Sequence, residues 1–199
     1  HIITTAIEHH SVLETIDYLV QHFGFEATII QPVNQEITAQ QIQEALRGDT
    51  ILVSTMYANN ETGSLLPIAE IGHILKDHPA AYHVDAVQAI GKLPIHPEEL
   101  GIDFLSASAH KFHGPKGIGF LYASSMDFDS YLHGGDQEQK KRAGTENLAA
   151  IVGMVAALKE DLDHQAKHYQ KLEGLKTAFL EEIAGLNYYL NESKHQLPY

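Results

Sequence analysis

Cysteine is absent from the 199 residues of the chain. This absence excludes a disulfide framework, a thiolate zinc site and a thiol nucleophile among these residues. Basic residues are also scarce, since 13 Lys and Arg stand against 26 Asp and Glu and the formal net charge is −13. A protein that binds the phosphate backbone of nucleic acid needs a basic face, so the charge argues against a nucleic-acid partner.

Long hydrophobic runs are missing too. No run approaches the roughly 20 apolar residues of a membrane span, and no basic segment followed by an apolar one opens the chain. We therefore expect a cytoplasmic protein without a membrane partner. The chain starts directly on the β-branched run 2–6 and stops at Tyr199 without a polar tail. Complete proteins usually carry a few frayed terminal residues, so we expect an internal piece of a longer chain, truncated at both ends.

Apolar runs and helical patterns alternate along the sequence. The apolar runs predict strands at residues 2–6, 27–30, 51–55, 81–85, 104–108 and 119–123. Helices are predicted at 12–23 before Gly24, from the Thr38–Gln41 capping box to Gly48, from Pro67, and from Asn147 onward with a break near Gly174. Hydrophobic residues make up 44 % of the chain, which is enough to build a core. This order predicts an α/β fold, with a mostly parallel sheet and helices on both faces.

Polar side chains follow the predicted strands, at the edge where ligands bind in open sheets. They are Glu8, His9 and His10 after the first strand, Asn59 and Asn60 after the third, Asp85 and Gln88 at the fourth, and His110 and Lys111 after the fifth. Pyridoxal phosphate (PLP) needs a lysine for covalent attachment and a carboxylate against its ring nitrogen. A ring over its face and an amide near its phenolic oxygen complete the set. Lys111, Asp85, His9 and Asn60 fit these four roles.

Each of these residues alone also has an ordinary explanation. An aspartate at a strand end often caps a helix, and a lysine there is usually solvated. The glycine-rich stretch 114–119 lacks the spacing of a P-loop, so a turn is favoured. His164 and His168 lie four residues apart, as a metal pair would. Without a third ligand nearby, a solvated helix face is the better interpretation, and we predict no metal site.

Five segments resemble those of cysteine desulfurases of the NifS/IscS type, within the class V aminotransferase family of PLP enzymes of fold type I. They are residues 8–12, 59–63, 83–88, 108–117 and 142–147, and they occur in the family's order. The resemblance implies the large domain of a three-layer PLP-dependent transferase. It also implies an enzyme that turns L-cysteine into L-alanine and passes persulfide sulfur to an acceptor protein, for iron–sulfur clusters or thio-cofactors.

The family's site roles carry over by position. The resemblance makes Lys111 the Schiff-base lysine and His9 a ring-stacking histidine that also takes part in proton transfer. Asp85 matches the partner of the ring nitrogen. The remaining matches are Asn60 and Gln88 at the phenolic oxygen, Ser108 and His110 at the phosphate, and Thr145 at the phosphate of the other subunit of a homodimer.

The resemblance also implies domain bounds and departures. Residues 1–187 match the PLP-binding large domain without its N-terminal segment, and 188–199 match the start of the connection to a small C-terminal domain. The family's catalytic cysteine lies beyond this sequence, so we expect the piece alone to be inactive. Asp136 and Lys140-Lys141 stand where members usually have other residues, and a carboxylate near a phosphate site is unfavourable unless paired. The alternatives are a selenocysteine lyase or other class V PLP enzyme, or a non-catalytic interaction domain.

Overall fold

The central feature of the molecule is a six-stranded sheet. The structure is a computed structural model that describes residues 1–191 and 193–198. The strands are β1 (Ile2–Thr5), β2 (Ala27–Ile30), β3 (Leu52–Met56), β4 (Ala81–Asp85), β5 (Phe104–Ser108) and β6 (Gly119–Ala123). Their order across the sheet is β2-β1-β3-β4-β5-β6. The first five run parallel and β6 is antiparallel to β5, which confirms the predicted mostly parallel sheet.

Four α-helices accompany the strands in the described part of the chain. They are α1 (His10–Phe23), α2 (Ala39–Ala45), α3 (Ile68–Leu75) and α4 (Leu148–Ile183). Every position of β1 is buried. Because successive strand residues point to opposite faces, both faces of the sheet are covered there. Ile42 of α2, Ile71 of α3 and Met154 of α4 all join the apolar core with the strands.

Three helix boundaries differ from the prediction. Helix α1 begins at His10, earlier than predicted, because His9 caps it by accepting a hydrogen bond from the backbone N–H of Ser11. Helix α2 ends before Gly48, since the backbone of Leu46 is already extended. The predicted break near Gly174 is wrong, because α4 runs unbroken through it. A Cβ at Gly174 would meet nothing within 4 Å, so this glycine only lowers helix propensity.

The parallel strands decide where polar residues gather. The carboxyl ends of β1, β3, β4 and β5 meet at one edge of the sheet. Near that edge, residues 193–198 fold back onto the segment after β3, where the N–H of Leu197 donates to the carbonyl of Gly63 at 2.8 Å. The side chain of Leu197 is fully buried. Among the described residues, no helix is both long and apolar enough to cross a membrane.

Candidate active site

A cavity of about 370 Å³ opens at the carboxyl edge of the sheet. It is lined by His9, Ser11, Met56, Ala58, Asn60, Asp85, Val87, Gln88, Ser108, His110 and Lys111. The fold therefore brings together every predicted site residue except Thr145. A larger groove of about 860 Å³ lies at the amino ends of β4 and β5, but it contains none of the predicted site residues.

His9 lies at the cavity wall in the bend between β1 and α1. Its Nδ1 accepts from the backbone N–H of Ser11 at 3.1 Å and lies 2.8 Å from the Ser11 hydroxyl. Because Nδ1 acts as an acceptor, a neutral His9 ring carries its proton on Nε2. The helix cap thus fixes the ring's position and its tautomer together.

Asp85 ends β4 at the floor of the cavity and is only 9 % exposed. Its Oδ1 accepts from the backbone N–H of Val87 at 2.9 Å, which holds the carboxylate in the turn after the strand. One pleat earlier on the same strand, His83 bridges Ser54 of β3 at 2.8 Å and Ser106 of β5 at 2.9 Å. Burial lowers the pKa of His83, so this bridge is neutral at pH 7.

Lys111 closes a short 3-10 turn, Ala109–Lys111, directly after β5. Its side chain is exposed, whereas the next residue, Phe112, is fully buried in the core. The N–H groups of Phe112 and Gly114 both donate to the carbonyl of Ala109, at 3.0 and 2.8 Å. In the same turn, Ser108 Oγ lies 2.9 Å from His110 Nδ1. The Lys111 amine therefore reaches the cavity from a segment that is held in place by backbone hydrogen bonds and by the buried ring of Phe112.

Asn60 is exposed at the cavity rim and depends on its neighbour Asn59, whose role the sequence reading missed. Asn59 is buried, and its Nδ2 donates to the carbonyl of Ile7 at 2.9 Å. Its Oδ1 accepts from the N–H groups of Glu61 and Thr62, both at 2.9 Å. This side chain joins the segments after β1 and β3, and the Asn-Asn pair is the only signal for it in the sequence.

Two further ionisable residues lie beside the cavity: Glu8, which the sequence places at this edge without a role, and Lys92, which no sequence pattern singles out. Burial raises the pKa of Glu8 to about 7, against opposing hydrogen bonds from Thr5 and Met56. Lys92 donates from Nζ to Gln88 Oε1 at 3.0 Å. Burial, and then the charge of Lys111, lowers the pKa of Lys92 to about 8. The cavity therefore adjoins one carboxyl and one amine that change charge near neutral pH.

Thr145 lies apart from the cavity, exposed in the segment between β6 and α4. The predicted role for Thr145 is in the site of another subunit, so its exposure leaves that prediction open. In the same segment, Lys140 Nζ lies 3.8 Å from Asp136 Oδ2. The unusual Asp136 is thus paired, within its own turn, with one of the unusual lysines. The pair is well exposed, so its effect on stability is small.

The residues of the cavity fit pyridoxal phosphate by their chemistry. An amine, a buried carboxylate, two imidazoles, two amides and two hydroxyls line one space, and its volume is within the range of small-ligand sites. Among the described residues, no cluster of three or more His, Asp and Glu is arranged to hold a metal ion. His164 and His168 are stacked on α4, with ring centroids 5.9 Å apart.

Comparison with known proteins agrees with this fit. The putative cysteine desulfurase IscS 1 of Bacillus subtilis (strain 168) is 48 % identical over 204 residues, which cover 100 % of this chain and 54 % of that protein. A solved NifS-like protein superposes with a TM-score of 0.93 at 37 % identity, covering 99 % of this chain and 55 % of the other. A structure of SspA in complex with cysteine gives a TM-score of 0.77 at 41 % identity, covering 80 % and 47 %.

These matches confirm the resemblance found in the sequence, at the level of the family. The chain spans about half the length of the relatives that it matches. The family model described as Aminotransferase class-V matches residues 1–198. The chain therefore belongs to the class V aminotransferase family.

Proposed function

We propose that this chain forms the cofactor-binding part of a PLP-dependent cysteine desulfurase, which converts L-cysteine to L-alanine and passes on the sulfur. The observation that carries the proposal is the single cavity that holds His9, Asn60, Asp85, Gln88, Ser108, His110 and Lys111. The curated relative named above is called a cysteine desulfurase, and SspA was solved with cysteine. Residues 1–187 are proposed as the large domain and 188–199 as the start of the connection to a second one.

The cofactor, when bound, supplies an electron sink for charge that develops at the substrate Cα. Lys111 supplies the amine that holds it covalently and, once released, moves the proton at Cα. The largely buried carboxyl group of Asp85 would lie against the ring nitrogen and hold its proton. His9, whose imidazole is held by its capping bonds to Ser11, would contact the ring of the cofactor.

The remaining polar groups orient the cofactor. Asn60 and Gln88 lie on segments after β3 and β4 and are proposed to contact its phenolic oxygen. Ser108 and His110, joined by their own hydrogen bond, are proposed to bind its phosphate. Thr145 would complete the phosphate site of a second subunit, so we propose a cytoplasmic homodimer that hands sulfur to an acceptor protein. No cysteine occurs among these residues, so sulfur removal needs a thiol from outside them.

Exchange of the Cα proton of L-alanine tests the proposal, because the reaction ends with proton transfer to that carbon. The chain is loaded with PLP in D₂O, and the Cα signal of L-alanine is followed by proton NMR. We expect the signal to decay faster than with free PLP, and the gain to vanish in Lys111→Ala. Lys116→Ala, in the same segment but outside the cavity lining, is the matched control. Equal rates in the wild type and in Lys111→Ala would contradict the proposed role of Lys111.

No observation favours the non-catalytic alternative, since Asp136, which motivated it, is paired with Lys140. A selenocysteine lyase would use the same cavity residues. Comparing exchange with L-alanine against exchange with L-aspartate and L-serine tests the substrate class. A desulfurase site should prefer L-alanine, which is its product, and a preference for L-aspartate or L-serine would favour another class V enzyme.

A further inference from the structure

Asp161 is a buried carboxyl group on α4, a helix whose other residues are mostly exposed or half-buried. It is 4 % exposed, and α4 buries only one other residue, Met154. Burying a carboxylate is costly unless partners compensate it. The backbone of Gly91 packs against it so closely that a Cβ there would lie 3.1 Å from Asp161 Oδ2. The burial of Asp161 therefore calls for a partner that offsets the lost hydration.

That partner is His113, two residues beyond Lys111. His113 Nδ1 lies 3.0 and 3.1 Å from the two carboxylate oxygens of Asp161. An ionised carboxylate only accepts hydrogen bonds, so Nδ1 is the protonated nitrogen of this pair. His168 Nδ1, about two helix turns further along α4, lies 3.8 Å from Oδ1. The side chain of His113 is 80 % exposed, whereas that of Asp161 is buried. We call this contact between a surface histidine and a buried carboxyl group the His113–Asp161 tether.

The backbone at His113 is strained, so a contact that stabilises this conformation also stabilises the bend of the chain there. Its φ is +64°, a left-handed conformation that is unfavourable for a residue with a Cβ. The two contacts to Asp161 offset this cost and hold the bend that ends the Lys111 segment. A second contact pins the same segment to α4, because a Cβ on Gly153 would lie 2.9 Å from Pro115 Cγ. Helix α4 therefore holds the segment at two points on one side of Lys111.

Asp161 also affects the charges behind the cavity. Lys92 follows Gly91 directly, and the charge of Asp161 partly offsets the lowering of its pKa by burial and by Lys111. We propose that Asp161 is a positioning residue for Lys111. By holding His113, it fixes the segment that carries the Lys111 amine against helix α4. The inference rests on the proposed function of Lys111, and it assigns to α4 a part in the site.

Amide hydrogen exchange tests the tether without any cofactor. In Asp161→Asn we expect the Phe112 and Gly114 amides to exchange about tenfold faster than in the wild type, because the segment opens more often. His113→Asn should give the same increase, and its exposed position keeps the fold intact. Asparagine tolerates the left-handed backbone, so this variant removes the tether without adding strain. Asp163→Asn, at an exposed position of the same helix, is the control and should exchange like the wild type.

The second readout is the rate at which Lys111 forms a covalent adduct at saturating PLP, trapped with borohydride. Asp161→Asn and His113→Asn should each slow it several-fold, and the double variant should be no slower than either single one. The inference would be overturned if Asp163→Asn slowed adduct formation as much, or if the effects of Asp161→Asn and His113→Asn added up in the double variant. It would also be overturned if His113→Asn kept the amide exchange and the adduct rate of the wild type. If Lys111→Ala is trapped as well as the wild type, the proposed function fails instead, and the exchange rates still decide on the tether.

Discussion

The backbone N–H of Met56 donates to Glu8 Oε1 at 2.8 Å, and Thr5 Oγ1 donates to the same oxygen at 2.5 Å. The side chain of Glu8 therefore links the C-terminal ends of β1 and β3 beside the cavity. Its other oxygen, Oε2, is buried, and none of the described residues gives it a hydrogen bond. Since Oε1 accepts both bonds, a proton on Glu8 resides on Oε2, and the neutral acid is the form that this environment favours.

Glu8 should make the chain more stable in mild acid. Its pKa rises from 4.5 to about 7 on folding, so the folded chain binds this proton more tightly than the unfolded chain. The contribution of Glu8 to the free energy of unfolding should therefore be largest below pH 4.5, fall as the pH rises, and level off above pH 7, with a total change of about 3 kcal/mol. Urea unfolding across this range measures it.

The matched variants for this prediction are Glu8→Gln and Glu14→Gln. Glutamine keeps an acceptor for Met56 but does not titrate, so Glu8→Gln should remove the gain of stability toward acid. Glu14 lies exposed on α1, and its variant should retain the wild-type slope. A wild-type slope in Glu8→Gln would show that another group causes the pH dependence.

His83 should act in the opposite direction. Burial lowers its pKa, with Asp85 opposing in part, so the unfolded chain binds this proton more tightly than the folded one. The contribution of His83 is complete above pH 6.5 and is lost as the pH falls below that value. In the wild type the opposite contribution of Glu8 masks this loss of stability. Glu8→Gln removes that contribution, so the variant should unfold more easily at pH 5 than at pH 7.

The double variant Glu8→Gln/His83→Gln checks this assignment. Its free energy of unfolding should no longer decrease as the pH falls. At pH 8 that free energy should be lower by about 1–3 kcal/mol, because the bridge between Ser54 and Ser106 is broken. His96→Gln, at an exposed position, is the control. An undiminished decrease in the double variant would rule out His83 as its cause.

Two glycines of α4 should respond oppositely to alanine. Gly174→Ala should stabilise the chain by about 0.5–1 kcal/mol, because it gains helix propensity and its Cβ meets nothing within 4 Å. Gly153→Ala gains the same propensity but places its Cβ 2.9 Å from Pro115 Cγ, so the proline ring must shift. We therefore expect a net loss of stability. Thermal unfolding of both variants compares them directly, and equal stabilisation would disprove the close packing of α4 on the Lys111 segment.

Much of the fold follows from local sequence patterns. The apolar runs locate all six strands to within a residue at each end, and the parallel pairing of β1 to β5 then brings the residues after those strands to one edge. His9, Asp85 and Lys111 were predictable together for this reason. The length of α4 was not, because Gly174 suggests a break while the sequence alone does not show that its surroundings are open.

What the sequence hides are contacts between distant segments. His113 and Asp161 are 48 residues apart, and each looks like an ordinary surface residue in its own segment. Glu8 reads as part of a polar turn, and its raised pKa arises only when β3 closes over it. Such properties come from tertiary burial, on which local propensity has no bearing.

The most direct test of the account is to locate the covalent adduct. The chain is incubated with PLP, reduced with borohydride and digested, and the modified lysine is identified by mass spectrometry in the wild type, Lys111→Ala and Lys116→Ala. We expect a yellow complex whose adduct lies on Lys111 in the wild type and in Lys116→Ala, and no dominant site in Lys111→Ala. An adduct mainly on another lysine, or one that is unchanged in Lys111→Ala, would contradict it.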